Sequence, residues 1–70
     1  MLWVFERDGR HARLQVLYLA PEKTEVHFID AEGVEHVEHF TNATAAGDRQ
    51  LALQNELMEQ GWSKLGEWKL

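Results

Sequence analysis

The chain has 70 residues, no cysteine and a formal net charge of −5. A domain of this length buries only about 60% of the surface that its unfolded chain exposes, and the lack of cysteine excludes disulfide bonds and thiolate metal sites as extra stabilisation. The acidic balance disfavours non-specific binding to nucleic acid or to anionic lipid.

The remaining composition is that of one folded domain over residues 1–70. Three Trp, three Phe and one Tyr supply the apolar contact area of a core. No apolar run approaches the roughly 20 residues that span a bilayer, so we expect no membrane partner. The first residues lack the basic start and apolar middle of a secretory signal, and we therefore expect a cytoplasmic protein.

The first 40 residues contain four segments rich in aromatic and β-branched residues, as is typical of β-strands. Turn signals separate the strands: Asp8-Gly9 suits a type I′ hairpin, and Pro21 and Gly33 suit the two later turns. The predicted strands are residues 2–7, 10–19, 24–30 and 34–40. Because consecutive strands usually pair, the sequence predicts an antiparallel four-stranded β-meander.

After Phe40 the apolar period changes to that of an α-helix, predicted over residues 43–60. Thr41 or Asn42 can cap its start, and Gly61 suits the left-handed residue beyond its end. Trp62 would then close back on Leu57. The tail after it is either a frayed terminus or a short edge strand. The predicted fold class is α+β.

One helix can cover only one face of such a sheet, and both faces are apolar. The face predicted to lie under the helix consists of Trp3, Phe5, Leu14, Val16, Tyr18, Val26, Phe28 and Phe40. The opposite face carries more aliphatic residues than a solvated face needs. Its Leu17, Leu19 and Val37 are candidate interface residues.

The helix has a second apolar flank, formed by Leu51 and Met58 two turns apart. These two residues either pack on the C-terminal tail or add to the interface. Exposed apolar patches usually mark interaction sites, and two-fold dimers are the commonest assemblies. The sequence therefore favours a homodimer or a protein partner.

Four histidines are the main candidates for metal chemistry. His36 and His39 point to opposite faces of a strand and cannot share a metal within one chain. Glu25, His27 and His39 come together if the third and fourth strands pair. That group could be a zinc or pH-sensing cluster, or Glu25 and His39 could form an ordinary cross-strand polar pair.

No motif for catalysis or for a cofactor is present. Ser63 is the sole serine, and the five glycines are isolated rather than grouped in a phosphate loop. Acid–base catalysis needs paired titratable groups in a pocket, and so small a chain has little volume for one. We expect a non-enzyme without a cofactor or catalytic residues.

Single-stranded nucleic acid is an alternative ligand. Arg7, Arg10, His11 and Arg13 form a local basic strip in the acidic chain, and Trp3, Phe5 or Trp68 could stack on bases. In architecture alone, a four-stranded meander with one helix resembles the single-stranded-DNA-binding coactivators and the Whirly-type regulators. This is a likeness of fold alone, with no motif matched residue by residue, and it carries little functional weight.

The leading hypothesis is a small non-enzymatic module for protein interaction or homodimerisation. The competing hypotheses are a nucleic-acid-binding domain and a small metal-binding or catalytic protein.

Overall fold

Five antiparallel strands form one sheet with a single helix packed on it, in a computed structural model that describes residues 1–69. The elements are β1 (Leu2–Arg7), β2 (Arg10–Ala20), β3 (Lys23–Ile29), β4 (Glu35–Phe40), α1 (Ala43–Glu59) and β5 (Ser63–Trp68). The strand order is β4-β3-β2-β1-β5. The predicted α+β meander is confirmed, and the tail is an edge strand beside β1.

The first hairpin has the predicted two-residue turn. Asp8 and Gly9 both have positive φ, 53° and 79°, as a type I′ turn requires. Arg7 therefore pairs with Arg10, and this register continues along the hairpin to Leu2 and Gln15. The turn chemistry thus determines which side chains of β1 and β2 share a face.

The later strand boundaries differ from the prediction by one residue. An irregularity between Tyr18 and Ala20 lets β2 continue to Ala20. At the third turn, the Asp30 carboxylate accepts the Val34 N–H at 3.0 Å, so β4 begins at Glu35 instead of residue 34.

Both ends of α1 are capped by the predicted residues. The Asn42 side chain accepts the Ala45 N–H at 2.7 Å. At the other end Gly61 has a φ of +89°, and the Trp62 N–H donates to the Leu57 carbonyl at 3.0 Å. This is a Schellman ending. The helix ends at Glu59, because Gln60 is the capping residue.

The core lies between α1 and the face of the sheet that α1 covers. It consists of Trp3, Phe5, Ala12, Leu14, Val16, Val26, Ala46, Leu53 and Leu57. Tyr18 lies on this face, as predicted, but is 63% exposed, because β2 extends past Val16, its last residue bonded towards β1. Tyr18 is therefore outside the core.

Strand β5 is attached to the core through Trp3. The Trp3 indole N–H donates to the Glu67 carboxylate at 3.0 Å. The β1–β5 register shifts between Val4 and Phe5, which leaves a bulge in β5.

Among residues 1–69, no helix is long and apolar enough to cross a bilayer.

Candidate interaction surface

The face of the sheet opposite α1, here called the open face, is covered by no other element among the described residues. Strand alternation places on it every second side chain of each strand. Its apolar members are Leu2, Val4, Leu17, Leu19, Ile29, Val37 and Trp68. These side chains are half-buried or exposed. The predicted interface residues Leu17, Leu19 and Val37 therefore lie on one surface.

Trp68 extends this apolar surface onto the edge strand β5. It pairs with Leu2 across the strands and its ring lies against Gly66, where an added Cβ would come within 2.9 Å of the ring. Glycine is therefore needed to let the indole lie flat on the sheet. Trp68 remains 49% exposed and is available to a partner.

Four polar side chains form a carboxylate–histidine cluster on the β3–β4 side of the open face: Glu25, His27, Glu35 and His39. The two oxygens of Glu25 contact His27 Nε2 at 2.9 Å and His39 Nδ1 at 3.0 Å. His27 Nδ1 lies 3.6 Å from the Glu35 carboxylate. Each imidazole therefore faces at least one carboxylate, and the predicted association of Glu25, His27 and His39 is present.

A hydrogen bond within the cluster changes the pKa of the Glu25 carboxyl group. The hydrogen bond from His27 lowers the pKa of Glu25 below the ordinary glutamate value of 4.5. Burial raises this pKa, whereas the charges of His39 and His27 lower it further. Glu25 and His39 are direct cross-strand partners, as an ordinary polar pair would be. Within residues 1–69, no group of three or more ligand-type side chains is arranged to hold a metal ion.

His36 is separate from this cluster because it lies on the other face of β4. Its ring stacks on Phe28, with 6.0 Å between ring centroids, and its Nε2 lies 3.0 Å from the Asp30 carboxylate. This hydrogen bond, with those from the Val34 and Glu32 amides, lowers the pKa of Asp30 below the ordinary aspartate value of 3.8, against a raising effect of burial. His36 therefore helps to order the β3–β4 turn.

The predicted basic strip is divided between the two faces. Arg7 and Arg10 pair at the hairpin end on the α1 side, whereas His11 and Arg13 lie on the open face. Arg7 donates to the Gln60 carbonyl and lies 5.4 Å from the centroid of the Trp62 ring. Its guanidinium thus joins the end of α1 to the first hairpin.

The aromatic residues nearest the basic strip are part of the core. Trp3 is 8% exposed and Phe5 is fully buried, so neither offers a face on which a base could stack. Of the three predicted stacking residues only Trp68 is exposed. It shares the open face with His11 and Arg13, whereas Arg7 and Arg10 lie on the other face, so the four predicted cations do not line one surface beside it.

The helix flank is a second and separate apolar surface. Leu51 and Met58 are 53% and 52% exposed, whereas the sheet-facing residues of α1 are Ala46, Leu53 and Leu57. Leu51 and Met58 thus lie on the outer side of α1, with the whole sheet between them and the open face. They do not belong to the same surface as Leu17, Leu19 and Val37.

A shallow depression marks the centre of the open face. Its volume is about 280 Å³ and its lining residues are Leu2, Arg13, Gln15, His27 and Ile29. The mixture of aliphatic walls with amide, imidazole and guanidinium groups suits one side chain of a protein partner.

Trp68 and Glu35 belong to this surface but were not predicted as interface residues. Gly66 and Trp68 are two residues apart, as side chains on one face of a strand are, but so short a segment does not indicate that the tail pairs with β1. Strand alternation puts Glu35 on the open face, but its approach to His27 depends on side-chain conformations that the sequence pattern does not specify.

Comparisons with protein-family models, curated proteins and solved structures gave no match to this chain.

Proposed function

We propose that this chain is a non-enzymatic protein-interaction module that binds its partner through the open face of the sheet. The observation that carries the proposal is the set of seven apolar side chains on a face that no described element covers. An antiparallel sheet whose second face meets only solvent normally has polar side chains there. This face instead resembles the mixed apolar and polar composition of a protein interface.

The distribution of charge on the open face indicates the chemistry of the partner. Glu25 and Glu35 lie on the β3–β4 side, whereas Arg13 and the indole of Trp68 lie on the β2 and β5 side. A complementary surface has an apolar centre, with basic groups opposite the two glutamates and an acidic group opposite Arg13. Self-association is part of the proposal, since a second copy is a common means of stabilising so small a domain.

The two apolar surfaces can be tested against each other by capture from a native extract of the source organism. The open-face variant carries Leu17→Arg and Ile29→Arg, and the matched control carries Leu51→Arg and Met58→Arg on α1. We expect the wild type and the helix variant to retain the same proteins, quantified by mass spectrometry, and the open-face variant to lose them. Circular dichroism checks that each variant is folded.

Equal recovery by all three baits, or a loss limited to the helix variant, contradicts the proposal. Both results would show that the open face does not bind the partner.

A further inference from the structure

Strand β4 is the more regular of the two sheet edges. It pairs with β3 over six consecutive residue pairs without a shift in register. The other edge strand, β5, contains a bulge and carries Lys64, two features that discourage the addition of a further strand. An added strand is therefore accommodated better at β4 than at β5.

The backbone groups that β4 presents to solvent follow from the alternation of an antiparallel ladder. Val16 exchanges both of its backbone hydrogen bonds with Met1, so the even-numbered residues of β2 bond towards β1 and the odd-numbered ones towards β3. Applying the same alternation to β3, its even-numbered residues bond towards β4. The bonded pairs of the last ladder therefore include Val26 with Glu38 and Phe28 with His36.

By this alternation Glu35, Val37 and His39 direct their N–H and C=O groups away from the sheet. None of these six groups has a backbone partner outside the ladders among residues 1–69. All three residues are exposed, Val37 to 39%. The edge thus offers donors and acceptors in the spacing that another antiparallel strand requires.

The residues of this edge are complementary to themselves in reverse. Counting outwards from Val37, His36 and Glu38 are at equal distances, as are Glu35 and His39, and then Val34 and Phe40. An antiparallel copy centred on Val37 therefore places each glutamate opposite a histidine and each apolar residue opposite another.

We propose that two copies of this chain pair β4 with β4, antiparallel about a two-fold axis at Val37, and so form one continuous sheet of ten strands. The proposal goes beyond the proposed function, because the edge of the sheet and not its open face makes this contact. Glu35 and His39 bond through their backbones to the partner's His39 and the partner's Glu35, and Val37 bonds to the partner's Val37. About six backbone hydrogen bonds form in this register.

Electrostatics select this register over the neighbouring ones. Moving the axis by one residue places either His36 opposite the partner's His36 or Glu38 opposite the partner's Glu38. Centring it on Glu35 brings two carboxylates together. Like charges directly opposite each other destabilise a strand pair, whereas opposite charges stabilise it. The Val37 register avoids every such like pair on both faces.

The side chains that would meet at the edge already have compatible neighbours. His39 contacts Glu25 on β3 and would gain the partner's Glu35 on its other side. On the α1 side, Glu38 contacts Arg49 at 2.9 Å and would face the partner's His36. Acidic and basic groups then alternate across the junction on both faces of the sheet.

Amide hydrogen exchange of the full chain gives the most direct test, because the two sets of β4 amides behave differently. His36, Glu38 and Phe40 bond to β3 and should be protected at every protein concentration. Glu35, Val37 and His39 should become protected only as concentration rises and sedimentation velocity detects a dimer. An edge contact of this size is at the weak end of specific interfaces, so the midpoint is expected at roughly 10–100 µM.

A charge exchange tests the register. His39→Glu faces the partner's Glu35 and so places two carboxylates together at two symmetry-related pairs, whereas Glu35→Lys removes the carboxylate that faces the partner's His39. Each should weaken its own dimer at least about tenfold. An equimolar mixture should form a heterodimer, because the new lysine then faces the new glutamate and the two unchanged residues also face each other.

Val37→Pro is the second, independent variant. Its missing N–H points outwards in the monomer, so proline in both copies removes the two hydrogen bonds at the dimer axis without removing one from the β3–β4 ladder. We expect a folded monomer by circular dichroism and sedimentation. Leu51→Arg, on the exposed outer side of α1 and away from both the edge and the open face, should dimerise like the wild type.

Three outcomes overturn the proposal: a monomer at millimolar concentration, a dimer in which Glu35, Val37 and His39 still exchange freely, or no recovery of association in the mixture. A dimer lost with Leu17→Arg but retained with Val37→Pro would move self-association to the open face. That result rejects edge pairing and supports the proposed function.

Discussion

Gly61 and Gly47 show how the same residue type has opposite effects at two positions of the helical region. Gly61 has a φ of +89°, a conformation that costs other residues about 1 kcal/mol or more. Gly47 lies inside α1, where a Cβ would meet no atom within 4 Å. Gly61→Ala should therefore lower the free energy of unfolding by about 1 kcal/mol, and Gly47→Ala should raise it by about 0.5–1 kcal/mol.

Urea denaturation followed by circular dichroism measures both changes, and each variant is the control for the other. Two destabilising substitutions would show that Gly47 is needed for a contact on the outer side of α1. A neutral Gly61→Ala would contradict the assignment of a Schellman ending.

The ionisation of Glu25 contributes to the free energy of unfolding at low pH. Its pKa is lowered in the folded state by the His27 hydrogen bond, so its contribution is present above the unfolded pKa and is lost as pH falls through the folded one. Stability should decrease as pH is lowered from about 5 to 3, and Glu25→Gln should make that decrease shallower. Urea midpoints across this range provide the measurement.

Glu22→Gln is a suitable control for that experiment, because Glu22 lies in the exposed β2–β3 turn. Its midpoints should follow the wild-type dependence on pH. If Glu25→Gln also follows the wild type, the His27 contact does not contribute to stability.

The features that were predicted correctly depend on residues close together in the chain. Asp8 and Gly9 determine a turn, and with it the register of a hairpin. Asn42 and Gly61 similarly determine the two ends of α1. The side-chain cluster of Glu25, His27 and His39 follows from the predicted β3–β4 pairing. The basic strip was predicted as one surface, although strand alternation alone already places Arg7 and Arg13 on opposite faces of the sheet.

At the scale of elements, β5 shows what the sequence alone did not establish. Its pairing with β1 joins residues 57 to 66 positions apart, and no local signal specifies such a contact. The bond from the Trp3 indole N–H to Glu67 fixes the edge strand to a buried core residue. The assignment of this tail therefore depended on tertiary structure.

The bond between Trp3 and Glu67 should contribute to the free energy of unfolding. Glu67→Ala leaves the largely buried Trp3 N–H without its acceptor, and should lower the free energy of unfolding by about 1–2 kcal/mol. Lys64→Ala is the matched control: Lys64 lies 3.7 Å from Glu67 in an exposed pair, which contributes little. Urea denaturation, with the Trp3 indole NMR resonance as a local probe, distinguishes the two.

Equal losses of stability in Glu67→Ala and Lys64→Ala would assign the effect to the exposed pair. An unshifted Trp3 resonance in Glu67→Ala would show that the indole bond does not form in solution.

At the scale of the whole molecule, charge distribution separates the proposed module from a nucleic-acid-binding domain. The net charge is −5, and Arg7 and Arg10 are on the opposite face from His11 and Arg13. Phosphate binding grows with the number of cations that one strand can contact at once. The two half-strips cannot contact one strand lying along a single face of the sheet.

We therefore expect no binding of a fluorescein-labelled single-stranded oligonucleotide at low salt, up to about 100 µM protein, the weak limit of ordinary non-specific affinity. Fluorescence anisotropy is the measurement. Saturable binding by the wild type that disappears with Arg13→Glu but not with Arg10→Glu would identify the open face as a nucleic-acid surface. That result would replace the protein-interaction proposal, because the same apolar side chains would then lie beneath the bases.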